Sequence, residues 1–184
     1  MVGACPAPAT ARRQGQAMML ADQFIPSDDI HPIDIVETVA THHAWEFDRF
    51  AEDQIAMTVD GQWRTYSLTL AWSPREEVLR LVCTFDFDPP ADRLGALYEA
   101  LNLANDEVWD GSFTFWAPQK LIAWRYGLVL AGEAVAGPEQ IGHMILSAVI
   151  EAERFYPAFQ LVGWGDGTAA AALDIAMSDA YGRA

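Results

Sequence analysis

Three stretches carry residue types that could do chemistry. The first is "GWGDG", residues 163–167, where Gly163, Gly165 and Gly167 alternate ahead of an alanine run. Glycine-rich turns that open helices can bind phosphate, because their free N–H groups point at the ligand. The surroundings argue against it here. A dinucleotide fingerprint follows a strand, whereas a helical pattern precedes this turn. A P-loop needs a lysine, and Lys120 is the only lysine in the chain. Asp166 would repel a phosphate. The turn reads instead as a connector between two helices. One glycine ends the first helix in a left-handed conformation, Thr168 caps the next, and Trp164 pins the final helix.

The second stretch is His42-His43. Adjacent helical residues point about 100° apart and do not share a metal easily. His31, His42 and Glu46 could converge in principle, but with only His143 besides and no cysteine pair the metal-ligand count is poor. His43 reads as a member of a buried stripe, and His42 as a favourable charge at a helix C-terminus. The third set is the carboxylate pairs Asp28-Asp29, Glu76-Glu77 and Asp106-Glu107, which fall at element ends where solvated acids are ordinary. No G-x-S-x-G nucleophile motif is present. We therefore assign no catalytic residue and expect no metal, no cofactor and no enzymatic activity.

The elements follow from the hydrophobic period. In "HPIDIVETVATHH", Pro32 stands at the first helical position, Asp34 in the first turn, and Ile35, Val36, Val39 and Ala40 on one stripe. The period then switches to two. Ile55, Met57 and Val59 alternate ahead of Asp60-Gly61, a hairpin signal. Tyr66, Leu68, Leu70 and Trp72 point one way, and Thr65, Ser67 and Thr69 the other. Ser73-Pro74 turns the chain into Leu79, Leu81, Cys83 and Phe85. A helix carries Leu94, Leu97, Tyr98 and Leu101, and two strands follow, one with Phe113 and Phe115 inward, the other with Ile122, Trp124 and Tyr126. Gly137-Pro138 opens a long helix, which Pro157 should kink or interrupt. The predicted fold is α+β: an antiparallel sheet with helices on one face, in the order α-β-β-β-β-α-β-β-α plus a C-terminal helix.

Composition narrows the function classes. The 184 residues carry a formal charge of −15, which argues against nucleic acid or an anionic membrane, since binding either requires a basic patch. No apolar run approaches the ~20 residues that span a bilayer. Cys5 and Cys83 make no disulfide framework, in keeping with a reduced, cytoplasmic setting. Residues 1–25 read as a disordered tail, and residues 26–184 as one domain.

What remains is surface. The outer sheet face carries small hydroxyl residues, together with Thr114, Trp116 and Arg125. Tryptophan and arginine are enriched at binding hot spots. Such a face takes a protein partner or a second copy, or is simply solvated. The alternative is a small-ligand sensor with a tryptophan-lined pocket.

The stretch "LYEALNLANDEVWDGSFTFWAPQKLIAWRYGLVL" and the later "YPAFQLV" resemble the YbjN domain family of small bacterial proteins, described as sensory transduction regulators. The resemblance rests on Asn102 and Asn105, Gly111, Arg125 in "WRYGL", and the turn near Pro157. It implies a fold similar to the type III secretion chaperones, which are acidic dimers that hold a protein segment. It implies a protein-binding regulator or chaperone-like adaptor, paired as a homodimer, and carries over no catalytic residue.

Overall fold

Alternation of side chains along β-strands decides this architecture. A computed structural model describes residues 30–132 and 134–181, with side chains through Met177. The expected tail over residues 1–25 lies outside the described residues. Residues from His31 onward form one compact unit.

Helix α1 (Pro32–His42) begins as its residues dictate. Pro32 occupies the first turn, and the His31 imidazole accepts a hydrogen bond from the Ile33 N–H at 3.3 Å. Four strands follow: β1 (Glu46–Ala51), β2 (Gln54–Asp60), β3 (Thr65–Ser73) and β4 (Val78–Asp86). A short 3₁₀ turn (Ala91–Arg93) leads into α2 (Leu94–Asp106), then β5 (Ser112–Trp116) and β6 (Leu121–Val129). Two helices, α3 (Pro138–Trp164) and α4 (Ala169–Tyr181), complete the described chain. The six strands form one open antiparallel sheet in the order β1-β2-β3-β4-β6-β5, so the α+β class and the element order match the sequence pattern.

The core lies on one side of this sheet. Tyr66, Leu68, Leu70, Leu79, Leu81, Cys83 and Trp124 are fully buried there, while Thr65, Ser67 and Thr69 on the reverse are exposed. Apolar burial on this scale is the dominant stabilising term. The Phe113 ring packs edge-on against Trp124 at 4.8 Å, Phe155 at 5.6 Å and Phe159 at 5.2 Å, which joins β5 and β6 to α3. Burial pushes the Cys83 thiol up to about 12, leaving it protonated and inert as a nucleophile.

Four local expectations are corrected. Helix α3 runs unbroken through Pro157. A proline inside a helix costs about 3 kcal/mol, but Phe155 and Phe159 on the flanking turns are fully buried at about 1.5–3 kcal/mol each, so packing wins. The helix does not end on a left-handed glycine, because Gly165 is extended (φ −97°, ψ 175°). Gly163 instead lies inside α3, where a β-carbon would sit 2.9 Å from the Phe87 ring. His43 is the exposed C-cap of α1, not a stripe residue, and stacks on Trp45 at 4.5 Å. The β2–β3 turn is a four-residue loop, Gly61 to Arg64, closed by Gly61 N–H donating to the Arg64 carbonyl at 2.9 Å.

The expected cap on the last helix is present. Thr168 Oγ1 accepts from the Ala171 N–H at 3.2 Å, capping α4. Trp164 packs edge-on against Phe87 at 4.8 Å. The turn beside it is also tied by Arg93, which donates to the carbonyls of Val162 (2.9 Å) and Gly167 (3.3 Å).

Candidate functional site

Register brings the expected residues onto one surface. Ser112 pairs with Arg125, Thr114 with Ala123 and Trp116 with Leu121. Thr114, Trp116 and Arg125 therefore share the outer face at the β5/β6 edge, in a line about 14 Å long. Arg125 is exposed, and Thr114 and Trp116 are half-buried. Ala123, small and flanked in register by Thr84 and Thr114, is fully buried between them.

The segment holding this edge is built from residues in the family-like stretch. Asn105, near the end of α2, clamps β5 with both amide atoms: it accepts from the Phe113 N–H at 2.7 Å and donates to the Phe113 carbonyl at 3.1 Å. Gly111 lies so close to Trp124 that a β-carbon would also meet the Arg125 carbonyl oxygen at 2.9 Å. Asn105 and Gly111 therefore hold β5 and the turn before it against α2 and β6. Asn102 is exposed.

Among the described residues the rest of the face is hydroxyl-rich and open. Thr58, Thr65, Ser67, Thr69 and Arg125 are exposed, as is Val129 at 64%. The packed helix faces lie across the sheet, against its other side. Toward β1 the outer surface is concave, with a hollow of about 370 Å³ lined by Glu46, Asp48, Ala56, Thr58, Ser67 and Thr69. Of the two arginines on the face, Arg80 is paired with Glu76. Arg125 has no ion pair among the described residues.

The other candidates are not brought together. His31 and His42 stand at opposite ends of α1, about 16 Å apart along its axis. Among the described residues no group of three or more His, Cys, Asp or Glu side chains is placed to hold a metal ion. His42, His43 and His143 do line a groove of about 650 Å³ between α1 and α3, floored by Val39 and Gly142. The tryptophans do not line it. Trp124 is in the core, Trp45 and Trp72 pack against it, and Trp63, Trp109 and Trp164 are exposed. Trp109 is the extreme case at 97% exposure.

Sequence reasoning missed the residue that organises the β2–β3 loop. Glu153 of α3 accepts from the Gln62 N–H (2.8 Å), the Trp63 N–H (3.2 Å) and the Tyr66 hydroxyl (2.6 Å). Burial, and then the Glu153 hydrogen bond, raise the Tyr66 hydroxyl above the ordinary phenol range. No local signal marks Glu153, because its partners lie about 90 positions away.

No helix among the described residues is long and apolar enough to cross a membrane. A search of curated proteins finds no match. The family model YbjN, described as "Putative bacterial sensory transduction regulator", matches residues 32–161. The match runs from the start of α1 into the last turn of α3 and stops before α4. The Asn105 clamp, Gly111 and the whole sheet lie inside it, and the chain belongs to the YbjN family.

Proposed function

We propose that the chain is a non-enzymatic, cytoplasmic regulator that acts by binding protein, as a chaperone-like adaptor, through the open face of its sheet. The observation that carries this reading is the outer face itself. It is about 24 Å from the first of its six strands to the last, covered by no other described element, and edged by Thr114, Trp116 and Arg125. Its hydroxyl-rich floor offers many small hydrogen-bonding groups, and Trp116 and Arg125 supply the side-chain types that dominate binding energy elsewhere. The family description as a regulator supports the same class of function. The acidic surface disfavours nucleic acid as a partner.

The alternative, a small-ligand sensor with a tryptophan-lined pocket, is weakened by the scatter of the tryptophans over core and surface.

The test is the double variant Arg125→Glu/Trp116→Ala, examined by light scattering and by capture of native-cell protein on a tagged copy. Loss of self-association or of a captured protein, with the melting transition retained, is the expected result. An unchanged mass and an unchanged set of captured proteins would remove the sheet face from the account.

A further inference from the structure

We propose that the groove between α1 and α3 is a binding site for a small aliphatic carboxylate. The ligand's chain lies on the apolar floor, and its carboxylate is held by the histidines of the rim. The site is separate from the open sheet face and goes beyond the protein-binding reading.

The residues of the groove carry this inference. The chain has four histidines, and three of them, His42, His43 and His143, line this one groove. No lysine or arginine does. An imidazole N–H is a hydrogen-bond donor suited to a carboxylate. None of the three rings has a hydrogen-bond or ion-pair partner among the described residues, whereas the Thr38 hydroxyl beside them is already used, donating to the Asp34 carbonyl at 2.8 Å. The first turn of α3 opens at the same place, and no side chain caps it, so its free N–H groups add to the preference for negative charge. Glu139 is the one carboxylate among the lining residues and opposes that preference. Beneath the rim, Val39, Gly142 and Leu146 make an aliphatic floor. The volume of about 650 Å³ lies within the range of about 300–1,000 Å³ typical of small-molecule sites.

Gly142 is the second observation. It is buried inside α3, where glycine is less favourable than alanine. Packing does not require it: a β-carbon there would meet only Val39 Cγ1, at 3.9 Å, an ordinary contact. Gly163 in the same helix is the contrast, since a β-carbon there would sit 2.9 Å from the Phe87 ring. What the missing side chain at position 142 leaves is the floor of the groove. A longer side chain would occupy the space that the ligand's chain needs.

Isothermal titration calorimetry of the full chain with hexanoate, octanoate and decanoate, in EDTA, tests the proposal. Each is expected to bind at one site per chain, and each added CH₂ strengthens binding by up to about fourfold. Decanol and decylammonium bind at least about tenfold more weakly than decanoate. Gly142→Leu abolishes binding with the melting transition retained, and Gly142→Ala raises the melting temperature while weakening binding. His42→Gln and His143→Gln each weaken decanoate about tenfold and leave decanol unchanged; Glu139→Gln tightens decanoate. Arg125→Glu/Trp116→Ala binds decanoate as wild type does. A wild type that does not bind decanoate, binding that survives Gly142→Leu, or indifference to both histidine changes overturns the site. A preference for decylammonium that Glu139→Gln weakens makes the groove a cation site and overturns the carboxylate. Binding lost in the sheet-face double variant but kept in Gly142→Ala moves the ligand to the sheet and overturns the groove. None of these results alters the reading of the sheet face as a protein-binding surface, which light scattering and protein capture test on their own.

Discussion

Removing the Glu153 carboxylate should destabilise the protein by about 2.5–4 kcal/mol, and the estimate can be built from its three hydrogen bonds. The Tyr66 hydroxyl donates to it at 2.6 Å from a residue with no exposed surface. Losing a charge-assisted bond of this kind costs about 1.5–3 kcal/mol, because the hydroxyl is left in a place where water replaces its partner poorly. The Gln62 and Trp63 amides lie in an exposed loop, so water takes over much of their bonding and each adds only about 0.5 kcal/mol. Tyr66→Phe removes the buried bond alone and should cost about 1.5 kcal/mol. In that background Glu153→Ala has only the two amides left to lose, so the pair should be non-additive by about 1.5 kcal/mol. Urea unfolding of wild type, both single variants and the double variant gives the four free energies by linear extrapolation. Hydrogen exchange at the Gln62 and Trp63 amides should accelerate in Glu153→Ala and not in Tyr66→Phe. Additivity within about 0.5 kcal/mol would show that the carboxylate and hydroxyl do not act together, and the pinned-loop account would be wrong.

Two further predictions concern the helical layer. Arg93→Ala should speed amide exchange in α4 about tenfold, since it removes two bonds to the α3–α4 connection; Trp164→Ala, whose ring rests on Phe87, should do so less. Equal exchange in Arg93→Ala and wild type would contradict this. Burial raises the Glu151 carboxyl above its usual 4.5, with Asp110 adding to the rise and Arg154 opposing it. A raised folded-state value favours the protonated form, so this contribution is full below the unfolded value and fades as pH rises through the folded one. Glu151→Gln should therefore stabilise the protein at pH 7 and make little difference near about pH 3.5. Thermal melts at the two pH values check it, and a destabilised variant at pH 7 would show that the Arg154 pair outweighs burial.

Much of the fold was legible because its determinants are local. Alternation at Thr65–Trp72 and Val78–Phe85, Pro32 at a helix start and Thr168 at a cap each act within a few residues, so sequence order displays them. The misreadings share the opposite property. Pro157 is a helix breaker by local rule, yet Phe155 and Phe159 are held by packing against β5, which no window of sequence contains. Gly163 looked like part of a glycine-rich turn but serves close approach to Phe87, some 76 positions earlier. Asp60-Gly61 signals a tight hairpin, but Glu153 holds the amides just beyond it and the loop opens to four residues. The outer-face residues Thr114, Trp116 and Arg125 were placed on one face by period alone. The place of Arg125 in register beside Val82 required the strand order, because β6 inserts between β4 and β5.

The central claim is that the open sheet face, rather than the helical face, is the surface that meets protein. Hydroxyl-radical footprinting of the assembled protein, compared with the same protein dispersed at low concentration, tests it directly. Trp116 and Val129 report from the sheet, and Trp109, Leu146 and Ile150 from the other side. Protection of Trp116 and Val129 with unchanged reactivity at Trp109 and Ile150 is the predicted pattern. Protection confined to Trp109, Leu146 and Ile150 would contradict the account and move the interface to the helices.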